Sequence, residues 1–186
     1  MANIRRAVLA DLDAMTEIYN EAILTTTATF DLEPRTREEQ LKWFDSHDDR
    51  HPILVAESDG QVVGWASLKR WNVRRAYEET VESSFYVKAE HRGKGIGRSL
   101  KQAIINEACR LGFHTLIAGV ADGSDASLHL NKSFGFEVVG TFQEVGWKFG
   151  KLLDVTYLQK FLKPRRPTGG AESSAQDAAQ NPNSEG

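Results

Sequence analysis

Residues 82–111 read E-S-S-F-Y-V-K-A-E-H-R-G-K-G-I-G-R-S-L-K-Q-A-I-I-N-E-A-C-R-L. A short β-type run, Val81 to Val87, meets a turn at Lys88 to His91. Arg92-Gly93-Lys94-Gly95-Ile96-Gly97 follows. Beyond it Ile96, Leu100, Ala103, Ile104, Ala108 and Leu111 recur at the spacing of one helix face, and Gly112 reads as the stop. Strand, glycine loop and helix together form a recipe for holding an anion. Glycines let the backbone approach a ligand closely. The helix N-terminus offers N–H groups and a partial positive charge, and Arg92, Lys94 and Arg98 add full charges. A phosphate-bearing ligand is expected. The loop lacks the Gly-Lys-Ser/Thr ending of a Walker A motif. Its G-x-G-x-G spacing also differs from the dinucleotide fingerprint.

Outward from this stretch, Ile4 to Val8 reads as a first strand. Asp11 reads as the N-cap of a helix with Leu12, Met15, Ile18, Tyr19 and Ala22 on one face. Leu24 to Phe30 suits a strand or a loop over a pocket equally. Thr36-Arg-Glu-Glu39 is a capping box that opens a second helix. Ile53 to Ser58 and Val62 to Lys69 flank Asp59-Gly60, a hairpin signal. A polar segment, Arg70 to Glu79, leads into the central strand. Thr115 to Val120 reads as a buried strand. A short helix follows from Ser124, closed by Gly135. Phe136 to Val145 and Leu152 to Leu162 are the last strands, joined across Gly146 to Gly150. The expectation is a mixed α/β sheet with helices on its faces, a domain over 1–163, and a disordered tail over 164–186. That tail is too poor in apolar residues to offset its ordering entropy.

With 186 residues and 40% hydrophobic content, the chain can bury a real core. No apolar run reaches membrane-spanning length and no signal-peptide pattern opens it, so a cytoplasmic protein is expected. The net charge of −3 argues against general nucleic-acid binding. A single cysteine, Cys109, rules out an intrachain disulfide and a cysteine-based zinc site. It is expected to be a partly buried structural thiol, and no metal is expected.

Arg92-x-x-Gly95-x-Gly97 between a strand and a helix resembles the acetyl-CoA pyrophosphate loop of the GNAT acetyltransferases. The element order matches that fold over residues 3 to 162. It implies a mostly antiparallel sheet splayed between the fourth and fifth strands. The chain is most similar to the phosphinothricin-type and methionine-sulfone-type amino-acid N-acetyltransferases. The likeness rests on Tyr19 to Ile23 and Thr27 to Phe30, Trp71 to Tyr77 with Thr80-Val-Glu82, Arg92 to Gly97, and Val145 to Asp154. It implies acetyl transfer to the amine of a small amino acid or analogue, by direct attack in a ternary complex. A non-catalytic acetyl-CoA-binding domain is the alternative, as is an acetyltransferase of a peptide N-terminus or a polyamine. The partner expected is a small amino-acid-like acceptor, with no nucleic acid and no membrane. A homodimer is left open.

The resemblance also implies roles. Arg92, Gly93, Lys94, Gly95, Ile96, Gly97 and Arg98 would hold the cofactor's phosphates. The backbone of Phe85, Tyr86 and Val87 would hold the pantetheine arm, and the N–H near Val87 would polarise the acetyl carbonyl. Ser124 and Asn131 would also touch the cofactor. Glu82 would be the base, desolvated on an apolar strand. Asn72, Val73, Arg74, Ser83 and Ser84, with Phe30 and Lys148, would surround the acceptor, Arg74 forking onto its carboxylate. Three positions depart from the family pattern. Asn72 stands where Arg is usual, Ser124 where Asn is usual, and Asn131 where Tyr or His is usual.

Overall fold

The computed structural model describes residues 2–163; the expected tail, 164–186, lies outside the described residues. Seven strands form one sheet in the order β1-β2-β3-β4-β5-β7-β6. In chain order these are β1 (Asn3–Arg6), β2 (Ile53–Ser58), β3 (Gln61–Arg70), β4 (Thr80–Val87), β5 (Thr115–Ala121), β6 (Glu137–Lys148) and β7 (Lys151–Phe161). Only the β4–β5 pair is parallel. The helices are α1 (Leu12–Thr25), α2 (Arg37–Asp45), α3 (Ile96–Arg110) and α4 (Asp125–Ser133).

Period-two alternation puts the core on both faces of the central strands. On β3, Trp65 packs with Met15, Ile18, Tyr19 and Ile23 of α1. Its neighbours Ala66 and Leu68 pack with Leu100, Ile104 and Ala108 of α3 on the other face. The Trp65 indole donates to the Met15 carbonyl at 3.2 Å, which locks α1 to the sheet. The helix period read from Ile96 to Ala108 therefore marks the buried stripe of α3. Gly112 ends it at φ 82°.

Local signals held in several places and failed in others. Thr36 and Glu39 form the reciprocal capping box of α2. Asp59 and Gly60, at φ 52° and 76°, make the two-residue turn whose twist suits a hairpin. Asp11 precedes α1 but does not cap it. Its carboxylate instead takes two bonds from Arg5, at 2.7 and 2.8 Å, and one from the Val8 N–H. The expected connection at Gly146 to Gly150 is shorter than its composition suggested. β6 runs on to Lys148, and Phe149-Gly150 alone turns the chain. Gly146 lies in the strand, with the Phe30 ring against it where a Cβ would collide. Cys109 is exposed rather than partly buried, because it falls beside, not on, the inward stripe. Among the described residues no helix is long and apolar enough to cross a membrane.

Candidate active site

β4 and β5 pair only at Thr80, Val81 and Glu82, against Thr115, Leu116 and Ile117. Past that last rung the strands diverge. Lys88 N–H donates to the Val63 carbonyl, across from β4's other partner β3. Antiparallel strands alternate their hydrogen-bonding direction. Phe85 and Val87 therefore turn their backbone N–H groups the other way, into the gap. Backbone N–H groups aimed into a wedge suit the carbonyls of an extended amide-containing ligand arm.

A cavity of about 580 Å³ fills the wedge on the α3–α4 side. Phe85, Tyr86 and Val87 line it, together with Arg92, Gly93, Gly95, Gly97 and Arg98 of the glycine loop. Gly95 immediately precedes α3 with φ 81°, a left-handed backbone that turns the loop onto the helix N-terminus. Gly97 lines the wall where a Cβ would touch Phe85 and Val87. Arg92 Nε donates to the Val87 carbonyl at 3.0 Å, tying loop to strand. The Arg98 guanidinium lies 4.9 Å over the Phe134 ring. Lys94 is exposed and lines neither cavity, and Ile96 is buried in the core.

Ser124 and Asn131 close this cavity from α4. Asn131 is buried, and its Nδ2 donates to the Ser127 carbonyl at 2.8 Å. Its Oδ1 has no partner among the described residues. This amide therefore presents an acceptor to the cavity, not a proton donor. His129 is exposed at the cavity's wall.

A second cavity, about 370 Å³, lies on the α1 side of the gap. Ala28, Ser84, Tyr86, Gly119 and Ala121 line both, so the two share a wall across the sheet. Glu82 lines the second. Gly119 lies beside it in the shared wall, where a Cβ would sit 3.8 Å from Glu82 Oε1. The surroundings of Glu82 differ from the apolar strand expected. Lys69 Nζ lies 3.1 Å from its carboxylate, and the Tyr157 phenol is held up from its ordinary pKa first by burial and then by the Glu82 charge.

Of the stretch left open between strand and loop, Leu24 and Thr25 end α1, and Thr26 to Phe30 form a loop that roofs the gap. Thr27 Oγ1 bonds the Asp122 carbonyl at the end of β5. Tyr19 OH bonds Thr29 Oγ1 and Asp31, at 2.8 and 2.9 Å. Lys148 is buried and donates to the Thr29 carbonyl at 2.7 Å, its pKa lowered by that burial. It lines neither cavity and touches the site through this loop. Phe30, by contrast, lines the second cavity. Asn72, Val73 and Arg74 are exposed and line neither cavity. They lie past the end of β3, where Arg74 N–H donates to Asn72 Oδ1 at 3.0 Å.

Sequence reading missed several residues here. Arg35 lines the second cavity, paired with Asp31 at 2.8 Å and stacked on the Tyr19 ring. Gln40 is fully buried in its wall, with neither amide atom partnered among the described residues. It follows two glutamates in a short polar helix, so no local signal sets it apart. Lys101 was overlooked too, being a charged residue on an apolar stripe.

A model of the acetyltransferase (GNAT) domain matches residues 4–157. The chain is 40% identical to an L-amino acid N-acyltransferase of Escherichia coli, over 88% of this chain and 95% of that one. It is 41% identical to an L-methionine sulfoximine/L-methionine sulfone acetyltransferase of Pseudomonas aeruginosa, over 89% and 97%. A phosphinothricin acetyltransferase of Sinorhizobium meliloti, solved in complex with acetyl-CoA, superposes with a TM-score of 0.85 at 34% identity. That match covers 95% of this chain and 96% of the other.

Proposed function

The chain belongs to the GNAT acetyltransferase family, and we propose that it moves the acetyl group of acetyl-CoA to the amine of a small amino acid or analogue. The observation that carries this reading is the pair of cavities set back to back across a shared wall. One holds a glycine loop, a helix N-terminus and unpaired strand N–H groups; the other holds a carboxylate. The residues fit the cofactor. Gly93, Gly95 and Arg98 suit its phosphates, the Phe85 and Val87 N–H groups its amide arm, and the unpartnered Asn131 Oδ1 an N–H or S–H of that arm. Acetyl-CoA supplies an activated acyl thioester. Glu82 takes the proton of the acceptor's ammonium, directly or through a water, and Lys69 holds its carboxylate at the shared wall. The gap-facing N–H groups of Phe85 and Val87 would polarise a carbonyl between them. Both ligands are bound when the amine attacks, since each has its own cavity.

In this reading the acceptor's carboxylate meets the cations of the second cavity, Arg35 and Lys69, rather than Arg74. The Gln40 amide offers a donor and an acceptor to a polar side chain such as a sulfone, sulfoximine or phosphinyl group. The test is thiol release from acetyl-CoA with a panel of amino acids, peptides and polyamines. Methionine sulfone, methionine sulfoximine and phosphinothricin are expected to lead the panel. Binding of acetyl-CoA with no acceptor turned over would leave a binding domain instead.

The proposed partner of the fold itself is a second copy. β6 is a long edge strand, and Val139, Phe142 and Trp147 on it are each more than half exposed. An unpaired apolar edge invites pairing, and a two-fold axis lets one edge cover its own copy. Light scattering should give twice the chain mass, and Phe142→Glu with Trp147→Glu should return the monomer. A monomeric wild type at micromolar concentration would end this proposal. The cytoplasm is its proposed place, which suits a chain with one free, exposed thiol.

A further inference from the structure

Lys101 heads the fully buried side chains by size and is 1% exposed. It lies one turn past Gly97 on the inward face of α3 and lines the cofactor cavity. Its Nζ donates to Ser83 Oγ at 2.9 Å and sits 4.2 Å from the centre of the Phe136 ring. The Ser83 hydroxyl in turn donates to the Ile117 carbonyl. No carboxylate pairs with Lys101 among the described residues. An ammonium buried this way is costly, and an apolar side chain would fill the stripe better.

Ser83 is the first β4 residue beyond the last rung to β5, and Ala118 stands opposite it. Both line the same cavity as Lys101. Nζ therefore marks the apex of the wedge, the closed end of the space where the strands part. Two of its three free directions go to Ser83 and to the Phe136 ring. The third is left for the cavity. Burial lowers its pKa to about 7, so much of the amine carries a lone pair near neutral pH, as a nucleophilic lysine must.

We propose that Lys101 is an internal acetyl acceptor, taking the acetyl group from the bound thioester when no amino acid occupies the neighbouring cavity. The inference rests on the acetyl-CoA reading above. In the step, Nζ forms a bond to the acetyl carbon and the carbon–sulfur bond breaks. The electron pair leaves with sulfur, and the amine's proton ends on it as the free thiol. Nothing is oxidised or reduced. The product, Nε-acetyl-Lys101, has lost its charge and one donor and has added an acetyl group at the apex. The modified chain should hold acetyl-CoA less well, so acceptor shortage would silence the enzyme.

The full chain is incubated with acetyl-CoA and no acceptor, and its intact mass and peptides are followed with time. One acetyl group should accumulate on Lys101 before the exposed Lys132 and Lys151 react. A CoA analogue lacking the sulfur, or the best acceptor amino acid, should slow Lys101 at least tenfold and leave the exposed lysines alone. Lys101→Arg should lose that acetyl group only. Calorimetry with CoA runs alongside. No binding would overturn the acetyl-CoA reading and this inference with it. Binding, with Lys101 unmodified after the exposed lysines have reacted, would overturn this inference alone.

Discussion

Replacing Glu82 with Gln should lower kcat/KM for the amino-acid acceptor by roughly 10²–10⁴, the usual worth of a positioned general base. Gln keeps the shape of the side chain and its place beside Gly119, where a Cβ would lie 3.8 Å from the carboxylate oxygen. It removes the one acceptor able to take a proton, since an amide is not basic. The loss should fall mainly on kcat, because Glu82 lines the second cavity and not the one at the glycine loop. Acetyl-CoA affinity should stay within about twofold, less than 0.5 kcal/mol. The pH profile carries the sharper test. A working general base should give the wild type an acidic limb, and in the variant that limb should flatten. Gln also leaves the Lys69 ammonium without its partner at 3.1 Å. Lys69→Met separates the two effects: it should cost less than Glu82→Gln and keep the acidic limb. Wild-type rates with an unchanged acidic limb in Glu82→Gln would leave Glu82 a structural residue.

What was legible in the chain follows from which signals are local. The α3 stripe, the Thr36 capping box and the Asp59-Gly60 turn each depend on residues within a few positions, and each formed as read. The cavity at the glycine loop was legible for the same reason, because strand, loop and helix N-terminus are contiguous. The second cavity was not. Its walls come from α1, α2, the roofing loop, β3 and β7, and nothing in the run R-E-E-Q-L says that Gln40 is buried. Lys148 shows the same limit in another form: on a strand end a lysine ordinarily reaches solvent, yet here its ammonium anchors Thr29, far away in sequence. Asp11 was misread because a near competitor, Arg5 on β1, takes the carboxylate before the helix can. Lys101 is the instructive miss. The periodicity of α3 places it inward, but charge ordinarily argues outward, and only the Ser83 hydroxyl and the Phe136 ring show how the fold accommodates it.

Gly95→Glu should weaken acetyl-CoA binding tenfold or more, at least about 1.4 kcal/mol, with the fold intact. Room is not the obstacle, since a Cβ at this position meets nothing within 4 Å. Two physical effects add. Any side chain here is forced into the left-handed backbone at φ 81°, at a cost of roughly 1–2 kcal/mol. Glutamate then puts a negative charge against the helix N-terminus, where the N–H groups and Arg98 should meet the ligand's phosphates. Gly95→Ala carries the first effect without the second, so its binding should lie between wild type and Gly95→Glu. Salt tells the two apart. A charge repulsion at an open site is screened as ionic strength rises, so the gap between the Glu and Ala variants should narrow from low salt to high. The backbone strain has no such dependence, and the gap between Ala and wild type should persist. Calorimetry at two salt concentrations reads both. If the Glu variant binds as tightly as wild type at low salt, the phosphates do not sit at this helix end, and the cofactor must lie elsewhere along the wedge. If Ala and Glu lose affinity equally at both salts, the glycine is needed for the shape of the loop alone, and the anion is held by Arg92 and Arg98 rather than by the helix.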